Sequence, residues 1–220
     1  MKKLYKLHHQ ILQKLKCLDF TLLLALRIYL APIFIIAGLA KLNSFNDTAN
    51  WLGNSEWGLG LPFPALMTAL VIFAELVGGF ALLFGFLTRF FSVSLIIAML
   101  VATFKVHLKN GWFAIAPSDA TTSTAVFWDK LGFTSAQNSL ANSTEVAQRL
   151  DKAKELLQTH GNYDWLTETG NFVILNNGVE FAVTYLIMLL PLLFYGAGKY
   201  VSVDYYLAKF FNQKLGLKNE

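Results

Sequence analysis

The sequence predicts an all-α membrane protein, a four-transmembrane-helix bundle with an extended outer segment between helices three and four. Three observations carry this. Stretches 21–42, 65–87, 90–108 and 178–200 are apolar, and each has roughly the 20 residues needed to cross a hydrocarbon core of about 30 Å. The chain is 55% hydrophobic and 15% charged with a mean hydropathy of +0.47, outside the balance of a soluble domain of this length. The positive charge gathers at the two ends, with Lys2, Lys3, Lys6, Lys14 and Lys16 before the first span and Lys209, Lys214 and Lys218 after the last.

That last observation sets an expected topology, because lysine and arginine are retained on the cytoplasmic side. Both termini are expected in the cytoplasm of a bacterial cell, with the spans in its inner membrane. The stretch between spans one and two carries Asp47 and Glu56 and no lysine or arginine, so it is expected outside, as is 109–177. Thr88 and Arg89 form the tight inner turn. A net charge of +4 is accounted for by topology and does not call for a nucleic-acid partner.

In chain order, residues 1–20 space Leu4, Leu7, Ile11, Leu15 and Leu18 by three and four among lysines and histidines, which reads as a basic amphipathic helix on the inner leaflet. The apolar run behind it is too long for a signal peptide and contains Arg27 and Lys41, so it is expected to be retained. Span one places Arg27, Ala31, Phe34, Gly38 and Lys41 on one helix face. Span two has a stripe of Ala74, Gly78, Ala81 and Gly85, and Ser94, Ala98 and Ala102 continue it in span three. Small residues of this kind let membrane helices approach closely. Pro62 and Pro64 precede span two, where a missing N–H costs little; Pro32 and Pro191 lie inside spans and are expected to kink them. In the outer segment, Asn142 followed by Glu145 reads as a helix start, Val146, Leu150, Ala153, Leu156 and Leu157 as its apolar face, and Gly161 as its end. This short helix is expected to fold back over the outer mouth of the bundle, anchored by Phe127, Trp128, Phe133 and Trp165. Residues 201–220 read as a cytoplasmic tail.

A charge near the bilayer centre costs about 3 kcal/mol on insertion scales, so ionisable residues within spans usually face a protein interior and serve a purpose. Arg27 falls in the inner half and is expected to snorkel to the inner interface. Lys41, Glu75, Lys105, His107 and Glu180 are expected to converge in the outer half. Glu75 is the deepest, and a carboxylate near the midplane is either ion-paired or protonated, both of which suit proton transfer. Mutual neutralisation within a packed bundle is the structural alternative for the whole cluster. The lone cysteine, Cys17, excludes dithiol chemistry within the chain. His107 is the only histidine near the hydrocarbon, and no His/Cys/Asp cluster has ligand spacing, so neither haem nor metal is expected in this chain alone.

The local motifs LRIYLAPIFIIAGLAKL, LGLPFPALMTALVIFAELVGGFALLFGFLTR, VHLKNGW and NNGVEFAVTYLIMLLPLLFYGAG together resemble the DoxX family of small bacterial membrane proteins. The positions matching its pattern are Lys41, Glu75, Arg89, His107, Asn110, Trp112 and Glu180. The chain departs from compact members in its long outer segment. The resemblance implies a four-helix subunit related to thiosulfate:quinone oxidoreductase and terminal quinol oxidase systems, acting in the lipid bilayer with other oxidoreductase subunits or a soluble redox protein. The expected function is a quinone-linked oxidoreductase subunit. Lys41, His107, Asn110 and Trp112 are its candidate cofactor-binding residues, and Glu75, His107, Lys41 and Glu180 are its candidate acid/base residues. The competing reading is a non-catalytic anchor or assembly subunit that docks a periplasmic redox partner. A small transporter fits less well, since four spans show no inverted repeat, although a homo-oligomer could form a path.

Overall fold

The computed structural model describes residues 1, 5, 9 and 18–216. The expected amphipathic helix at 1–20 and Cys17 fall largely outside the described residues. The described residues are mostly helical, and their one extended pairing is an isolated antiparallel bridge between Ile115 and Leu175. The chain divides into two compact units, Met1–Val106 with Ala182–Glu220, and His107–Phe181.

The first unit contains α1 (Asp19–Asn43), α2 (Phe45–Gly53), α3 (Pro64–Phe84), most of α4 (Thr88–Asn110), most of α8 (Glu180–Tyr195) and α9 (Val203–Leu215). Helices α1, α3 and α4 are long and apolar enough to cross a membrane. Helix α8 has 16 residues, about 24 Å of rise, so it is shorter than the 178–200 span expected from hydropathy: the chain leaves the helix at Gly196 and Gly198, both at positive φ. The protein is a multi-pass membrane protein whose described residues include three full-length spans and a shorter fourth apolar helix.

Pro64 occupies the first turn of α3, where its missing N–H is harmless. Pro32 and Pro191 lie inside continuous helices. The irregular turns fall elsewhere: α3 widens to a π-helical turn at Phe73–Val77, and α4 does so at Ala102–His107. The core is formed by Leu30, Ala31 and Phe34 of α1, Leu82 of α3, Leu95 and Met99 of α4, and Leu189 and Leu192 of α8. Small residues set the α1–α3 spacing. A Cβ on Gly79 would stand 3.0 Å from the backbone N of Ile35 and 3.1 Å from the carbonyl of Ala31, and one on Gly38 would stand 2.8 Å from the backbone N of Leu76.

The turn joining α3 to α4 is tied by both neighbouring backbone and a distant side chain. Gly85, at φ +66°, ends α3 with its N–H donating to Leu82 O and the Phe86 N–H donating to Ala81 O, the arrangement that glycine permits at a helix end. Asp204 then caps α4, its carboxylate accepting from the Leu87 N–H at 2.7 Å and the Thr88 N–H at 2.9 Å.

The second unit packs α5 (Ala125–Lys130), α6 (Thr134–His160) and α7 (Tyr163–Leu166) with the strap segments 107–117 and 171–181. Helix α6 ends at His160, just before Gly161 as expected, but begins at Thr134, eight residues ahead of Asn142. The added N-terminal part of α6 includes the buried Ala136, and α6 packs against α5. Glu145 pairs instead with Arg149 at 2.7 Å. Ahead of α5, hydrogen bonds from the Thr121 N–H and hydroxyl hold the Asp119 carboxyl below its ordinary pKa range.

Candidate functional site

Glu75 lies near the middle of α3, on its π-helical turn, and is 4% exposed. A π turn inserts a residue into the helical repeat and re-aims the side chains that follow, and such turns recur at functional sites. Here the turn faces α1, which the absence of a side chain at Gly38 brings against Leu76. One turn beyond Gly38, Lys41 reaches the Glu75 carboxylate, with Nζ 2.6 Å from Oε2. Lys41 occupies the last turn of α1, where the helix dipole favours a cation. The pair is asymmetric: the lysine side chain is 33% exposed and the glutamate side chain 5%. A buried carboxylate therefore has one charge partner, and that partner has a route to the surface of the unit.

A second group of expected residues gathers in the unit 107–181. The carbonyl of Asn177 accepts from His107 Nδ1 at 2.9 Å and from Asn110 Nδ2 at 3.0 Å. Because a carbonyl only accepts, Nδ1 is the donor in this bond. Asn177 adopts φ +57°, a left-handed conformation that asparagine tolerates better than most residues. Asn176 donates through Nδ2 to the carbonyls of Asn110 and Phe113, at 2.6 and 2.7 Å. Glu180 completes the strap. Its Oε2 accepts from the Ala114 N–H at 2.9 Å, and its own N–H donates to Trp112 O at 2.9 Å. Asn110 and Trp112 open onto a cleft of about 610 Å³, within the range of small-molecule sites. Trp128 and Phe133 also line it, opposite a polar stripe of α6 that includes Asn138 and Asn142.

The expected residues thus resolve into two groups, Lys41 with Glu75, and His107 with Asn110, Trp112 and Glu180. Lys105 is exposed on the π turn of α4. Arg27 does not reach outward to an interface as expected. It is 1% exposed, and its guanidinium donates to four backbone carbonyls, Leu82 and Leu83 at the end of α3 and Ala197 and Val201 beyond α8, at 2.7 to 2.9 Å. Those acceptors have no pattern along the chain, so sequence reading missed them. Asn176 and Asn177 carried a signal, the NNG preceding the last span, but their bonds run to residues more than 60 positions away.

Residues 22–108 match the DoxX family. The matched stretch coincides with the three membrane-length helices α1, α3 and α4. It is also 34% identical over 94 residues to a Haemophilus influenzae protein described as an uncharacterized protein; the match covers 41% of this chain and 60% of that one. No solved structure matches.

Proposed function

We propose that this chain is a bacterial inner-membrane subunit of a quinone-linked oxidoreductase, with both termini in the cytoplasm. The observation that supports it most is Glu75, a carboxylate held inside the spans on a π turn with Lys41 as its charge partner. A carboxylate in that position is costly to insert, and a purely structural role would be served by apolar packing at no loss of stability. A quinone supplies a carrier that takes up two electrons and two protons. Lys41, with three donors and partial exposure, suits hydrogen bonding to a carbonyl oxygen, and Glu75 suits proton exchange through the pair. In the second group, His107 offers Nε2 as a further proton-handling atom, Asn110 and Trp112 offer a polar edge and an aromatic face, and Glu180 holds the strap that positions them.

The test is purification in mild detergent, solvent extraction and mass spectrometry for a co-purifying quinone, with quinone-dependent turnover measured in membranes. Glu75→Gln is expected to remain folded in the membrane and to lose turnover. Turnover at the parent rate would remove Glu75 from the mechanism, and no quinone in any preparation would overturn the reading. A second reading, an anchoring subunit that docks a periplasmic redox protein, is favoured by one observation: residues 107–181 form a compact unit with its own cleft.

A further inference from the structure

Helix α9 follows the last apolar helix and carries no buried residue. Val203, Tyr206, Leu207, Phe210 and Phe211 recur at spacings of three and four, which aligns them on one face, and they are 38% to 59% exposed. Lys209 and Asn212 lie on the other side of the wheel. Lys214 projects from the apolar face with its ammonium 4.6 Å from the centre of the Phe210 ring, an aliphatic stem along apolar surface with its charge carried to the edge. A soluble chain seldom leaves such a face uncovered.

Two features of the structure identify what covers it. The first is position. The Asp204 N–H donates to Gly85 O at 2.8 Å and its carboxylate caps α4, so α9 starts from the turn that joins two membrane-length helices, at the level where those helices end. The second is charge. Arg89, Lys199, Lys209 and Lys214 lie at this end of the unit, while the nearby carboxylate of Asp204 is committed to backbone N–H groups. Aromatic and aliphatic residues on one face with lysines beside them are the composition of a helix that lies in a lipid interface and favours anionic headgroups.

We propose that α9 is an interfacial helix whose Val203/Tyr206/Leu207/Phe210/Phe211 face is seated in the leaflet at the terminal end of the bundle, with Lys209 and Lys214 engaging anionic lipid headgroups. Its consequence is mechanical. Asp204 at its first turn caps α4, and Val201 just ahead of it accepts from Arg27, so a lipid-held α9 fixes the joint that gathers α1, α3 and α4.

The test uses the full chain with Cys17 replaced by serine and a single cysteine introduced as Phe210→Cys or Asn212→Cys. Each is labelled with a fluorophore and reconstituted in phosphatidylcholine vesicles with or without phosphatidylglycerol. The label at 210 is expected to be quenched several-fold more by lipid-borne nitroxide than the label at 212, and iodide in the water should show the opposite order. Adding Lys209→Gln and Lys214→Gln should abolish any strengthening of the lipid signal by phosphatidylglycerol. Equal quenching by iodide at both positions would overturn the proposal, as would a label at 210 shielded from both quenchers, which would place a second copy or another protein on this face.

Discussion

At the scale of single residues, two buried charges in this protein are held in opposite ways. Glu75 meets a side chain of opposite charge at hydrogen-bond distance, whereas Arg27 donates its hydrogen bonds to four backbone carbonyls, two at the end of α3 and two in the segment between α8 and α9, with the Asp204 carboxylate as the opposite charge nearby. Arginine suits this task because its donors are fixed in a plane, and lysine presents a single ammonium. Arg27→Lys is expected to leave at least one carbonyl unpaired and to lower stability by about 2 to 4 kcal/mol, since each buried unmet polar group costs about 1 to 3 kcal/mol. Thermal unfolding in detergent measures it, and an unchanged midpoint would refute the structural role given to the four bonds. Glu75→Gln tests a different property. It keeps the shape and removes the charge, so the proposed function loses turnover while the fold persists.

Among the elements, the α1–α3 pair decides where Glu75 can act. Close approach at Gly38 and Gly79 brings the π turn of α3 against α1, and the turn presents Glu75 to Lys41. Gly79→Ala separates two effects of opposite sign. Helix propensity favours alanine by about 1 kcal/mol, while forcing a methyl against the Ile35 nitrogen and Ala31 oxygen is an overpacking of backbone on backbone that costs about 1 to 3 kcal/mol. Because backbone cannot rotate away, net destabilisation of about 1 kcal/mol is expected in chemical denaturation, with loss of the Lys41–Glu75 contact. Alanine that stabilises the protein would show that the helices can part at no cost. The seam was legible only in part: Gly38 lies on the small face of span one, but its counterpart in α3 is Gly79, beside the stripe of Ala74, Gly78, Ala81 and Gly85, and Gly78 of that stripe faces Phe91 and Leu95 of α4. The π turns were not legible, because no residue type marks them and the prolines that drew attention sit in unbroken helix.

For the whole molecule, the chain folds as two compact units, one carrying the membrane-length helices and the DoxX match and the other formed by residues 107–181. The second unit is where the anchoring reading is tested. If it docks a soluble redox protein, the full-length chain should retain that partner through purification, and deleting 121–169 should abolish capture while leaving the spans inserted. Capture that survives the deletion would move any docking surface to the spans or the termini. The unit's α6 also departs from its local signal. Asn142 and Glu145 form a plausible cap in isolation, yet the helix begins at Thr134, in a stretch that buries Ala136 and belongs to a helix packed on α5.

Reading along the chain was enough to establish that this is a multi-pass helical membrane protein, where its three long spans lie, and which ionisable residues the bilayer makes costly, because those properties follow from local apolar length and composition. Folding in three dimensions settled who meets whom: Lys41 with Glu75, Asn177 with His107 and Asn110, Asp204 with the start of α4, and Arg27 with the ends of two other segments. Each of these pairings joins residues 34 to 174 positions apart. Such partners are selected by helix packing and by the demand that buried polar groups be satisfied, and neither leaves a periodic trace along the chain.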